Sequence, residues 1–85
     1  MENTKRVALI GIMIENKESA AKINDILHLY GNYIIGRMGI PYPKRNISII
    51  SIAIDAPNDI INTISGKLGA IDGVTSKTIY SKYSD

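Results

Sequence analysis

Two segments of this chain, residues 6–14 (RVALIGIMI) and 47–55 (ISIISIAID), are apolar at nearly every position rather than at alternate ones. That pattern constrains the fold more than any other feature. A run of eight or nine such residues is too short for a solitary core helix and fits a strand buried inside a sheet. On the first segment Val7, Leu9 and Met13 share one strand face, and Ala8, Ile10, Ile12 and Ile14 the other. On the second, Ile47 and Ile49 oppose Ile50, Ile52 and Ile54. Eighteen isoleucines and no Cys, Trp or Phe make stability depend on a dense aliphatic core. At 85 residues the chain is expected to form one domain, 1–85.

The remaining segments complete a pattern of strand, helix, strand, strand, helix, strand. Asn16 is placed to cap a helix over residues 17–30, where Ile23, Ile26, Leu27 and Tyr30 recur at helical spacing and Gly31 offers a left-handed stop. Residues 33–40 read as a second strand punctuated by Gly36 and Gly39. Pro41 and Pro43 are expected to break it, leaving a tight connection over 41–46. Pro57 suits the first turn of a second helix, whose Ile60, Ile61, Ile64, Leu68 and Ile71 form a narrow stripe that Gly73 ends. Residues 74–80 are β-branched but largely polar, as befits an edge strand, with fraying expected beyond them. This order predicts an α+β, ferredoxin-like βαββαβ fold: a four-stranded antiparallel sheet with two helices on one face, the first and third strands central.

Two helices cover only one face of such a sheet, yet both central strands are apolar on both faces. The open face or an edge is therefore expected to be buried by another copy, giving a homo-oligomer, dimer or tetramer. The competing reading is a monomer whose face Ser48 and Ser51 make polar enough. Ten basic against eight acidic residues give a charge of +2, and the basic ones are scattered apart from Lys5-Arg6 and Lys44-Arg45, so no direct nucleic-acid binding is expected. The apolar run Val7 to Ile14 is short and meets Glu15 and Lys17 without a small-residue cleavage site. Neither membrane insertion nor secretion is expected, and the cytoplasm is the default location. Without cysteine there are no disulfides, thiolate metal sites or cysteine nucleophile. No pattern names a cofactor.

Few residues are placed for chemistry. His28, the single histidine, sits about 150° around the first helix from its apolar stripe, and Asp25 is its neighbour three residues back. The pair can fix an imidazole tautomer or give two ligands to a metal that a second copy completes; the plainer reading is a surface or interface histidine. In the segment 36–42 (GRMGIPY), Gly36 and Gly39 remove side chains on either side of Arg37, where a ligand or another backbone can approach. Arg37 and Arg45 can then clamp a carboxylate or phosphate, with Gly39 and Tyr42 beside them; equally, Arg37 can pair with a neighbouring copy from a bulged edge strand. The string Ser65-Gly66-Lys67-Leu68-Gly69 lacks the first glycine and the final hydroxyl of a phosphate loop and lies in a helix pattern. Asn62, Ser65, Gly66 and Gly69 instead make a small-residue face that either admits another chain or stands in solvent. Asp55, Asp59 and Asp72 read as caps or turn residues, so no acid–base pair is assembled.

Three strings, LHxYGxxIxGRMGIPY from Leu27 to Tyr42, IISxxID from Ile49 to Asp55 and SGKLGxIxGV from Ser65 to Val74, resemble the family of proposed regulators of the iron-only hydrogenase system. Members of that family resemble ACT domains and the C-terminal domain of the nickel-responsive regulator. The resemblance covers residues 6–77 and implies a ferredoxin-like regulatory module that assembles into dimers or tetramers and binds an effector near subunit boundaries. One His and no Cys leave the nickel ligands of that regulator without counterparts. The expectation is thus a non-enzymatic regulator taking a small molecule or a metal at an interface lined by His28, Arg37, Gly39 and Tyr42. The alternative is a small dimeric enzyme or assembly factor using His28 for proton transfer, which requires that histidine to sit in an enclosed apolar pocket.

Overall fold

The computed structural model describes residues 5–84, with side chains through residue 82. Strand β1 (Lys5–Ile14) leads through a single turn (Lys17–Ser19) into helix α1 (Ala20–Leu29), and another turn (Gly31–Tyr33) precedes β2 (Ile34–Tyr42). The turn Pro43–Arg45 joins β2 to β3 (Ile47–Pro57), followed by α2 (Asn58–Gly69) and β4 (Val74–Ser84). All pairs are antiparallel in the order β2-β3-β1-β4, so the two continuously apolar strands are the central ones. This is the expected ferredoxin-like α+β sheet.

The register sorts the side chains into two faces. Ala8, Ile10, Ile12 and Ile14 of β1 pair with Ile54, Ile52, Ile50 and Ser48, and this face is packed beneath the helices. There Ile23 and Leu27 of α1 meet Ile61, Ile64 and Leu68 of α2, all five essentially inaccessible to water. Complete burial of each such side chain contributes about 1.5–3 kcal/mol. On the opposite face Val7, Leu9, Met13, Met38, Ile40, Tyr42 and Ile79 keep 43–67% of their surface exposed. Ser48 lies on the helix side, leaving Ser51, opposite Gly11, as the serine of β3 on the open face.

Several boundaries differ from the sequence reading, each for a local reason. Asn16 caps as expected, its Oδ1 accepting from the Glu18 N–H at 3.0 Å, but it caps a single tight turn and α1 starts only at Ala20. Gly31 is not left-handed; α1 ends at Leu29 and is capped by Tyr30 (φ −104°), and the positive φ among the described glycines belongs to Gly73 at 73°. Pro41 does not end β2 but pairs with Ser48 inside it, which an edge strand tolerates because one side of its backbone is unpaired. The connection accordingly shrinks to Pro43–Arg45 and a left-handed Asn46. Asp55 lies within β3 rather than in a cap or turn, and α2 stops at Gly69 while Gly73 turns the chain into β4. β4 runs to Ser84, four residues past the expected 74–80; residue 85, like residues 1–4, lies outside the described residues.

The small-residue face of α2 is occupied from within the chain. Ser76 Oγ donates to the Ser65 carbonyl at 3.3 Å, Thr78 Oγ1 to Ser65 Oγ at 3.4 Å, and the Tyr80 hydroxyl to Asn62 Oδ1 at 2.8 Å. It is β4, not another chain, that meets this face. Arg6 extends the same seam, its Nη2 donating to the Ser81 carbonyl at 2.9 Å and its guanidinium lying 4.4 Å from the Tyr80 ring centroid. Among the described residues no helix is long and apolar enough to cross a membrane.

Candidate functional site

The C-terminal half of α1 and the start of β2 enclose a wide, open depression of about 700 Å³ lined by Asn24, Asp25, His28, Asn32 and Arg37, with Leu27, Leu29 and Ile34 as its apolar part. Helical spacing explains the first three of these residues. Asn24, Asp25 and His28 project from the side of α1 away from Ile23 and Leu27, the two positions buried in the core. Arg37 arrives from β2 on the helix side of the sheet, opposite Ile52, and its Nη2 donates to Asn24 Oδ1 at 3.3 Å. Gly36 and Gly39 flank it with open space where their Cβ atoms would stand.

Three of the sequence-predicted residues, Asp25, His28 and Arg37, thus share one depression, and all three are exposed. The remaining candidates are dispersed along β2 and beyond. Tyr42 is five residues from Arg37, roughly 17 Å at a strand rise of about 3.4 Å, and it lies on the open face opposite Ile47. Gly39 is on the helix side, opposite Ile50. Arg45 sits in the turn after β2, so it is not the second donor beside Arg37 that the sequence reading paired with it. His28 stands exposed in an open hollow, not in an enclosed apolar pocket. Among the described residues no group of three or more His, Cys, Asp or Glu side chains is gathered to hold a metal. Asp25 and His28 by themselves offer two ligands, short of the four of a closed zinc site.

A second hollow, of about 280 Å³, lies at the other end of β2 between Ile14, Pro41, Pro43 and Ile47, with Lys17, Ala20 and Tyr42 at its margin. It exists because α1 begins at Ala20 and leaves this end of the sheet uncovered. No local sequence signal announces it, since it depends on where a helix starts relative to a distant hairpin. Asn32, the other polar wall of the first depression, was likewise missed: its place follows from the turn after α1 and not from any spacing.

Known proteins bear on this geometry. Among curated proteins no match to the chain was found. Among solved structures, the uncharacterized protein TM1266 from Thermotoga maritima is similar at 34% identity and a TM-score of 0.88, over 92% of this chain and 99% of that one. The divalent ion tolerance protein CutA1 from Ehrlichia chaffeensis has 21% identity and a TM-score of 0.50, over 95% and 86% of the two chains. CPII, a nitrogen regulatory PII-like protein from Thiomonas intermedia bound to ADP, AMP and bicarbonate, has 16% identity and a TM-score of 0.51, over 92% of each. The last two share the fold. The family model for TM1266-like proteins, described as proposed iron-only hydrogenase system regulators, matches residues 6–78 and supports a regulatory role. By that match and by the likeness to the Thermotoga protein, the chain belongs to the TM1266-like family.

Proposed function

We propose that this protein is a non-enzymatic regulatory module that self-associates and takes up a small anionic effector, or a metal completed by a second set of ligands, in the depression between α1 and β2. The observation that carries the reading is the meeting of Asp25, His28 and Arg37 in one hollow of a chain whose family is one of proposed regulators. Arg37 supplies a planar fork of donors suited to a carboxylate or phosphate, and His28 with Asp25 supplies a proton-responsive or metal-binding pair. Gly39, Tyr42 and Arg45 stand apart from this hollow and have no part in the reading of it. Proton-transfer catalysis by His28 fits less well, because an exposed imidazole in open water lacks the enclosure that tunes a general acid or base.

Native mass spectrometry of the purified protein tests the proposal, since one spectrum gives both subunit count and retained adduct. The expected result is an oligomer carrying a small adduct that Arg37→Ala or His28→Ala loses. Both side chains are exposed, so each variant is expected to keep its unfolding free energy within about 0.5 kcal/mol of the parent. An adduct that survives both substitutions counts against this hollow, and a bare monomer counts against the whole reading.

A further inference from the structure

We infer that the uncovered face of the sheet is a self-association surface whose occupant is the same face of a second copy, and that this surface stands apart from the depression holding His28 and Arg37. The inference deepens the proposed function by naming the partner surface, and it rests on that reading for self-association itself.

Area is the first argument. Four strands about 4.8 Å apart and roughly ten residues long make a face of about 600 Å² before side-chain relief is counted. That is at the upper end of what a monomer leaves open and near the ~800 Å² per partner that a stable pair buries. The exposed large apolar side chains of this face come from β1, β2 and β4, with Ile47 and Ile49 of β3 half-buried between them, so covering one strand edge would leave most of them in water.

Relief is the second argument. The register sets Gly36, Ala53, Leu9 and Ile79 in one row across β2, β3, β1 and β4, small on one side and large on the other. The next row runs Met38, Ser51, Gly11 and Lys77, low at its centre. A two-fold axis along the strands, between β3 and β1, exchanges the two sides of each row. It lays Leu9 over the partner's Ala53, Ile79 over the partner's Gly36, and Met38 along the aliphatic stem of the partner's Lys77. In these two rows large groups meet small ones, while the next row, Ile40, Ile49, Met13 and Thr75, sets Ile49 against the partner's Met13 as an apolar contact, and two sheets can approach to about 10 Å in aligned packing. Arg37, Gly39 and His28 do not belong to it, because the first two are on the helix side of β2 and His28 is on α1.

The two glycines of this face make the test clean. No atom lies within 4 Å of where a Cβ would stand at Gly11 or Gly36, and neither has a left-handed φ. A side chain at either position is accepted by the single chain and refused by the pair. The experiment is size-exclusion chromatography with light scattering on the full chain and on Gly11→Arg, Gly36→Glu and His28→Ala, with urea unfolding to establish that each variant is folded. The expected result is that the parent is a dimer or tetramer, that Gly11→Arg and Gly36→Glu reduce it to smaller species with at least about 100-fold weaker association, and that His28→Ala leaves it assembled. If one glycine variant does not fold, the other carries the test. Folded glycine variants that stay fully assembled overturn the face and leave self-association to an edge. Dissociation of His28→Ala overturns the separation of the two surfaces, and a monomeric parent overturns both this inference and the self-association in the proposed function.

Discussion

At the residue scale, Gly73 is the position where a side chain is least admissible. It holds φ at 73°, and a Cβ there would stand 2.6 Å from the Asn16 Cβ. The closeness has a cause in the contact between two turns. Glu15 donates its N–H to the Gly73 carbonyl at 2.7 Å, Asn16 Nδ2 donates to Asp72 Oδ2 at 3.1 Å, and Ser19 Oγ donates to the Asp72 carbonyl at 2.6 Å. Ser19 is thereby buried and satisfied, which lets the turn after β1 lock onto the turn before β4. Gly73→Ala is expected to destabilise the fold by about 2 kcal/mol or more, the sum of a left-handed backbone penalty and a clash. A urea midpoint unchanged by the substitution would refute that account.

At the element scale, α2 shows how propensity and packing divide the work. Of the stripe Ile60, Ile61, Ile64, Leu68 and Ile71 read from spacing, Ile61, Ile64 and Leu68 enter the core, while Ile60 is half-buried and Ile71 lies beyond the end of the helix. The opposite flank, with Asn62, Ser65 and Gly69, is small because β4 passes close by: a Cβ at Gly69 would lie 3.7 Å from Ser76 Oγ. Gly66 on the same helix has open space beside it. Gly66→Ala is therefore expected to raise stability by roughly 0.5–1 kcal/mol through helix propensity and a less flexible unfolded chain. Thermal or urea unfolding checks this, and a loss of stability would mean that something else packs there. β2 makes the complementary point. Its Gly36, Gly39 and Pro41 weaken it as an independent strand, yet eight of its nine residues pair with β3, with Ile35 bulged out between Ile34 and Gly36, because β3 offers a long ladder.

At the scale of the whole molecule, the dominant fact is the asymmetry between a sealed helix face and an open apolar one. Among the described residues thirteen hydrophobic ones form a core of buried side chains on the first, while the second leaves Leu9, Met13 and Ile40 nearly half exposed. A partner that binds the folded chain and not the unfolded one stabilises it by mass action. The melting temperature is accordingly expected to rise with protein concentration in the parent and to become independent of it in Gly11→Arg. Calorimetry over a hundredfold concentration range decides the matter, and a parent whose melting temperature ignores concentration would speak for a monomer.

Everything that depends on period is legible in the residues alone: the six elements and their order, the central place of the strands 6–14 and 47–55, the sheet's two apolar faces, and the outward side of α1 that carries Asp25 and His28. These are legible because apolar spacing reports which positions must leave water, and that requirement is local. Whatever depends on distances between elements emerges only once the chain is folded. Arg37 joins Asp25 and His28, whereas Tyr42 lies at the far end of β2 on the other face and Arg45 in the turn beyond it, because register and not sequence separation sets which residues of β2 face the helices. Gly73 and not Gly31 takes the left-handed conformation, because at Gly31 the chain continues into the turn Gly31–Tyr33, whereas at Gly73 it reverses directly into β4.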